Sequence, residues 1–154
     1  MGTPFDPYAE LLALGRALDT AGLEYALCGG LALAVYGAPR ATRGIDLLVA
    51  PAQLDAVREV ARSLGYTFAA LPMRLQGEIT LWRLTRLIGP YPLMLDLLLL
   101  PEGLTEVFDQ RVRIPVEGGS LQVVTREGLI VLKTTAGRAQ DLVDIQRLME
   151  LERD

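Results

Sequence analysis

Histidine is absent from the sequence and cysteine occurs once, at Cys28. Those absences exclude an intrachain disulfide, a zinc site, and any Ser-His or Cys-His catalytic pair. Lysine is nearly absent as well: of 15 basic residues only Lys133 is one. Lysine and arginine differ in ways that only some sites need, so Lys133 is either a site residue or chance in an arginine-biased composition. Long apolar runs are also missing. The most apolar stretch, Leu93 to Leu100, is interrupted by Asp96 and falls far short of the ~20 residues that cross a bilayer. No membrane span is expected. Met1 to Glu10 has no basic flank leading into an apolar stretch, so a signal peptide is not expected and a cytoplasmic location is. A formal net charge of -4 argues against a broad basic surface for nucleic acid, leaving a local arginine patch as the only route to RNA.

What is present is core material. Apolar residues make up 51% and charged residues 22% of 154, enough for one domain over 1-154 with a sizeable core and no sign of disorder. Leu11, Leu12, Leu14 and Leu18 recur at helical spacing between Pro7 and Ala21, with Gly22 as a stop. Tyr25 to Cys28 reads as a short strand that runs through Gly29 and Gly30 into a helical segment, Leu31 to Tyr36. Ile45 to Val49 is a second strand, and Pro51 opens a helix that ends before Gly65. Tyr66 to Ala70, Ile79 to Leu87 and Leu93 to Leu100 read as strands, the last two joined by a turn containing Gly89, Pro90 and Pro92. A short helix at Leu104 to Phe108, two strands around Gly118 and Gly119, and helices at Arg126 to Ala136 and Ala139 to Glu152 complete the chain. The predicted class is α+β, or mixed α/β, with a mixed or antiparallel sheet flanked by helices and a C-terminal helical segment.

Two glycines between a strand and a helix let a ligand come close to the backbone, and free N–H groups there favour phosphate. Gly29 and Gly30 fit that description, and a tight structural turn is the plainer explanation. Asp46 lies at the start of an apolar strand, where an ionised carboxylate needs a cation or several donors unless the strand end is solvated. Asp96 makes the same demand more strongly, as the only polar residue of its run. With their strands side by side, the two carboxylates can converge on a hard cation such as Mg²⁺. The alternative is an ion pair with Arg40, Arg43 or Lys133.

Gly29-Gly30, Tyr36-Gly37, Arg40, Thr42 and the strand Ile45-Asp46-Leu47-Leu48-Val49, with a later strand aspartate, resemble the nucleotidyltransferase superfold that includes DNA polymerase β. Within that superfold they look like the small bacterial proteins related to the AbiEii toxins of toxin-antitoxin and phage-exclusion systems. The likeness runs from about Leu11 to Leu148. It extends to Lys133, Arg138, Asp141 and Asp144, where the two aspartates share a helix face and can meet Lys133 or Arg138. A helix-helix salt bridge explains that last group equally well.

The resemblance implies Mg²⁺-dependent transfer of a nucleoside monophosphate from a nucleoside triphosphate to an acceptor, with RNA the first choice. It implies catalytic roles for Asp46, Asp96 and Lys133, with Asp46 and Asp96 on the metal. Gly29, Gly30, Arg40, Thr42, Arg138, Asp141 and Asp144 would then contact nucleotide. Active relatives carry two aspartates at alternate positions of the first strand, and the first of these is Gly44 here. Loss of one carboxylate weakens metal binding, so weak or absent turnover is expected. A non-catalytic nucleotide-binding or interaction module, partnered by a protein encoded nearby, is the second reading. Glycine within a strand also marks the close approach of another group.

Overall fold

The computed structural model describes residues 5–42 and 44–152. Arg43, one of the cations considered for the two strand aspartates, and the first four residues lie outside the described residues. Helix α1 (Pro7–Thr20) begins where Asp6 accepts the Tyr8 N–H at 3.0 Å and Pro7 supplies a preset φ, and it buries Leu11, Leu14 and Leu18. Strand β1 (Ala26–Cys28) passes directly into the seven-residue helix α2 (Gly29–Val35), with Gly29 turning the chain at a left-handed φ of +70°. Strand β2 (Gly44–Leu48) is followed by a 3₁₀ turn at Pro51–Gln53 and helix α3 (Leu54–Ser63).

The next expected strand contracts to β3 (Phe68–Ala69), and a strand absent from the sequence reading, β4 (Met73–Arg74), follows it. The long hairpin β5 (Thr80–Ile88) and β6 (Tyr91–Leu99) turns on Gly89 and Pro90 alone, with Pro92 inside the strand. Helix α4 (Thr105–Asp109), strands β7 (Val112–Val116) and β8 (Gly119–Val123), and helices α5 (Arg126–Ala136) and α6 (Ala139–Glu152) complete the fold. The α+β class, the mixed sheet and the C-terminal helices are as the sequence led one to expect.

The eight strands form one sheet in the order β3-β5-β6-β2-β1-β8-β7, with β4 also paired to β5. β2 runs parallel to β6 and β1 parallel to β8, while β1-β2, β5-β6 and β7-β8 are antiparallel. Ile45 and Leu47 on β2, and Leu93, Leu95 and Leu97 on β6, are buried on one face of the sheet. Each contributes about 1.5–3 kcal/mol of transfer free energy, which fixes the register, since a one-residue slip would send all of them to the other face. Asp46 and Asp96 alternate with these leucines and so face the opposite side. Helix α5 packs against α6 and against the turn at Gln76–Glu78, which places it across from that second face. Among the described residues, no helix is long and apolar enough to cross a membrane.

Candidate functional site: a cleft between the central strands and helix α5

The parallel pairing of β2 with β6 sets Asp46 directly opposite Asp96, and the antiparallel pairing of β1 with β2 sets Cys28 opposite Asp46. The convergence expected of the two aspartates is therefore a matter of sheet register. They open into a cleft of about 660 Å³ whose walls include Gly29, Gly30, Arg40, Thr42, Lys133 and Arg138. Asp141 also reaches the cleft, whereas Asp144 lies behind it. Met73, Leu75 and Ile79 add an apolar part to the lining, and the sequence alone placed none of them near a site.

Gly29 has φ +70°, and a Cβ there would collide with the Asp46 carboxylate. Gly30 is constrained less severely, since a Cβ would lie 2.9 Å from Thr42 Cβ and 3.1 Å from Thr42 Oγ1. Gly29 thus brings backbone against the Asp46 side chain and Gly30 brings it against Thr42, approaches that a Cβ would obstruct. The Cys28 thiol donates to the Asp46 carbonyl oxygen at 3.6 Å, and burial pushes the thiol well above its ordinary range.

The two aspartates differ in their partners. Asp96 is held by Arg83 of the neighbouring strand, Nε to Oδ1 at 2.8 Å and Nη2 to Oδ2 at 3.0 Å. The sequence suggests Arg40, Arg43 or Lys133 as the cation for a buried strand aspartate, and the structure corrects this by giving Asp96 to Arg83. A signal for it existed: with a two-residue turn, counting back along the hairpin from Ile88 and Tyr91 brings Arg83 opposite Asp96. Placing Pro92 in the turn hid that register.

Asp46 receives no side-chain hydrogen bond or ion pair within the structure described. Its carboxyl is pushed up to about 6, first by burial and then by the charge of Asp96, against the opposing pull of Lys133, Arg83 and Arg138.

The C-terminal cluster is a network built on the buried groups Lys133, Asp141 and Asp144. Lys133 donates to Asp144 Oδ2 at 3.0 Å and lies 3.8 Å from Asp141 Oδ1. Arg40 Nε reaches both oxygens of Asp144 at 3.2 Å, and Gln140 Nε2 reaches Oδ1 at 2.9 Å. Arg138 binds Asp141 through Nε at 2.7 Å and through its backbone N–H at 3.1 Å. Burial alone would raise both carboxyls. The hydrogen bonds and charge of Arg138, with the charge of Lys133, outweigh it at Asp141, and Gln140, Lys133 and Arg40 outweigh it at Asp144. Both therefore titrate below the ordinary range. The salt-bridge alternative is realised here, and it holds Lys133 of α5, Arg40 of the loop after α2 and Arg138 of the α5-α6 junction at the cleft.

Gly44 sits opposite Met94 on β6. A Cβ at this position would run into the Met94 carbonyl oxygen, with Met94 C at 3.2 Å and Met94 Cβ at 3.3 Å. The close approach expected of a strand glycine is thus provided by backbone, and no acidic side chain is among the nearest atoms to that position.

No protein-family model and no curated protein sequence matches the chain. Solved structures do. A candidate nucleotidyltransferase from Thermotoga maritima superposes with a TM-score of 0.65 at 13% identity, over 93% of this chain and 92% of that one. The antibiotic-resistance factor ANT(2'')-Ia, solved in complex with adenylyl-2''-tobramycin, gives 0.58 at 15% identity over 91% and 85%. The Helicobacter pylori protein JHP933 gives 0.59 at 16% identity, over 94% of this chain and 65% of its own. At such identities the likeness speaks to architecture, and two of these neighbours match over most of both chains. The chain has the nucleotidyltransferase fold.

Proposed function

We propose that the protein binds a nucleoside triphosphate in this cleft together with Mg²⁺ at Asp46. In this reading its ancestral reaction, transfer of a nucleoside monophosphate to an acceptor, runs weakly or not at all. The observation that supports this best is the in-register placement of Asp46 beside Asp96, with Asp46 against Gly29, in a cleft that also holds Gly30, Lys133 and Arg138.

The donor set suits one hard cation better than two. Asp46 is an acidic group without a hydrogen-bonded partner in the structure described, while both oxygens of Asp96 already accept from Arg83. No group of three or more cation-binding side chains occurs among the described residues. A bound Mg²⁺ supplies charge neutralisation for the phosphates and for the oxygens of a transferring phosphoryl group. Gly29 and Gly30 line the cleft where the phosphates would lie, and Lys133, Arg138 and Arg40 set a positive potential beside it.

RNA is the acceptor we propose, and an AbiEii-like toxin-antitoxin setting the context; both rest on the sequence resemblance. A small hydroxyl-bearing acceptor is the competing outcome, since ANT(2'')-Ia was solved with adenylylated tobramycin. A non-catalytic module is the second reading. It is favoured by the Met94 carbonyl that closes the space beside Gly44 and by the grip of Arg83 on Asp96.

Calorimetric titration with each of the four nucleoside triphosphates and Mg²⁺, alongside an assay of pyrophosphate release, separates these readings. The wild type is expected to bind, and Asp46→Ala to weaken binding at least about tenfold, or about 1.4 kcal/mol. Gly44→Asp is expected not to restore turnover, and to cost about 1–3 kcal/mol of stability, because its Cβ must displace β6 backbone. Failure of the wild type to bind any triphosphate would refute the nucleotide reading. Brisk turnover that survives Asp46→Ala would place the chemistry elsewhere.

A further inference from the structure

Arg83 differs from the other basic groups of the cleft. Lys133, Arg40 and Arg138 are committed to Asp141 and Asp144, behind or beside the cleft. Arg83 alone among them pairs with one of the two strand aspartates that face the ligand space. It covers both oxygens of Asp96 in a fork geometry, the arrangement in which a guanidinium competes best with a metal ion for a carboxylate. The pair is also not locked in the core. The Arg83 side chain is 38% exposed and that of Asp96 is 15% exposed, so the guanidinium can leave without being stranded in an apolar interior.

We propose that Arg83 is a resident counter-cation that masks Asp96 against divalent ions. Deepening the nucleotide reading of the same cleft, and resting on it, the proposal assigns Arg83 a second partner. A triphosphate entering the cleft presents anionic oxygens that a planar, five-donor guanidinium binds as readily as a carboxylate. Arg83 then moves from Asp96 to phosphate, and Asp96 becomes available to a cation at the same moment. Asp46 and Asp96 thereby serve as a metal pair only when phosphate is present, and free Mg²⁺ alone meets a single open carboxylate. The fork depends on the register of the hairpin, where Arg83 stands directly opposite Asp96.

Mn²⁺ binding to the full chain, followed by water-proton relaxation, tests the masking without reference to turnover. Inorganic triphosphate serves as the anion probe, with its own Mn²⁺ complexation measured separately. Without triphosphate, Arg83→Gln is expected to bind Mn²⁺ at least about tenfold more tightly than the wild type, and addition of Asp96→Asn to Arg83→Gln is expected to abolish that gain. Arg83→Lys, which keeps the charge and loses the fork, is expected to fall between them and to provide the comparison should Arg83→Gln not fold. Equal Mn²⁺ affinity of the wild type and whichever of these variants folds overturns the masking. Triphosphate is expected to tighten Mn²⁺ binding in the wild type and to do so far less in Arg83→Gln. A gain in Arg83→Gln without any response of the wild type to triphosphate upholds the masking and overturns the exchange of Arg83 onto phosphate, whereas failure of the nucleotide reading itself is read from the calorimetry with nucleoside triphosphates.

Discussion

Asp46→Asn is expected to make the protein more stable at pH 8, by about 1–3 kcal/mol, while removing its response to Mg²⁺ and nucleotide. The sign follows from where the carboxyl titrates. Its folded value lies near 6, well above the value of about 4 that an aspartate has in an unfolded chain. Ionising Asp46 is therefore harder in the folded protein, and folding is opposed in proportion. The penalty is absent below about pH 4, grows between about 4 and about 6, and is complete above that window. Asparagine keeps the shape and has no charge to desolvate, so its advantage should appear at pH 8 and vanish at pH 4. Urea unfolding of both forms at the two values checks this. Mg²⁺ should stabilise the wild type at pH 8 because it favours the ionised form, and should leave Asp46→Asn unmoved. An identical stability difference at both pH values would mean that Asp46 is not the strained group described here.

The opposite sign belongs to Asp144, whose replacement by alanine is expected to cost about 3–5 kcal/mol. It is buried and accepts hydrogen bonds from Lys133, Arg40 and Gln140. Its removal leaves the Lys133 ammonium in a buried place with only Asp141, at 3.8 Å. Breaking one partner of a buried ion pair is far costlier than replacing both by apolar groups. Lys133→Met combined with Asp144→Leu is accordingly expected to recover much of the loss. Urea midpoints of Lys133→Met, Asp144→Leu and the double variant measure the coupling, and additivity would show that the two residues do not act together. Because the Asp141 and Asp144 carboxyls are depressed in the folded state, their contribution is present above about pH 4 and is lost as pH falls through their folded values. Asp46 weakens the fold towards high pH and this pair towards low pH, so stability should peak between.

The parts of this structure that were legible in the sequence are those governed by local pattern. α5 and α6 lie where apolar spacing and Gly137 place them, and β1, β2 and β6 follow from short apolar runs. The pairing of Asp46 with Asp96 was also legible, since each is a charge that a buried strand does not tolerate unexplained. What escaped depends on register and on tertiary approach. Arg83 reads as one more polar position of an alternating strand until the hairpin turn is known to have two residues. β4 and the apolar lining of Met73 and Leu75 come from a short exposed segment with no periodicity to detect. At Gly44 the sequence shows a missing carboxylate, whereas the structure shows a strand drawn so close to Met94 that no side chain fits.

A crystal of the protein soaked with Mg²⁺ and a non-hydrolysable nucleoside triphosphate tests the central claim most directly. The expected result is a triphosphate along Gly29 and Gly30, an ion against Asp46, and Arg83 turned from Asp96 towards phosphate. A cleft without nucleotide at saturating ligand, with Arg83 still forked onto Asp96, would contradict it.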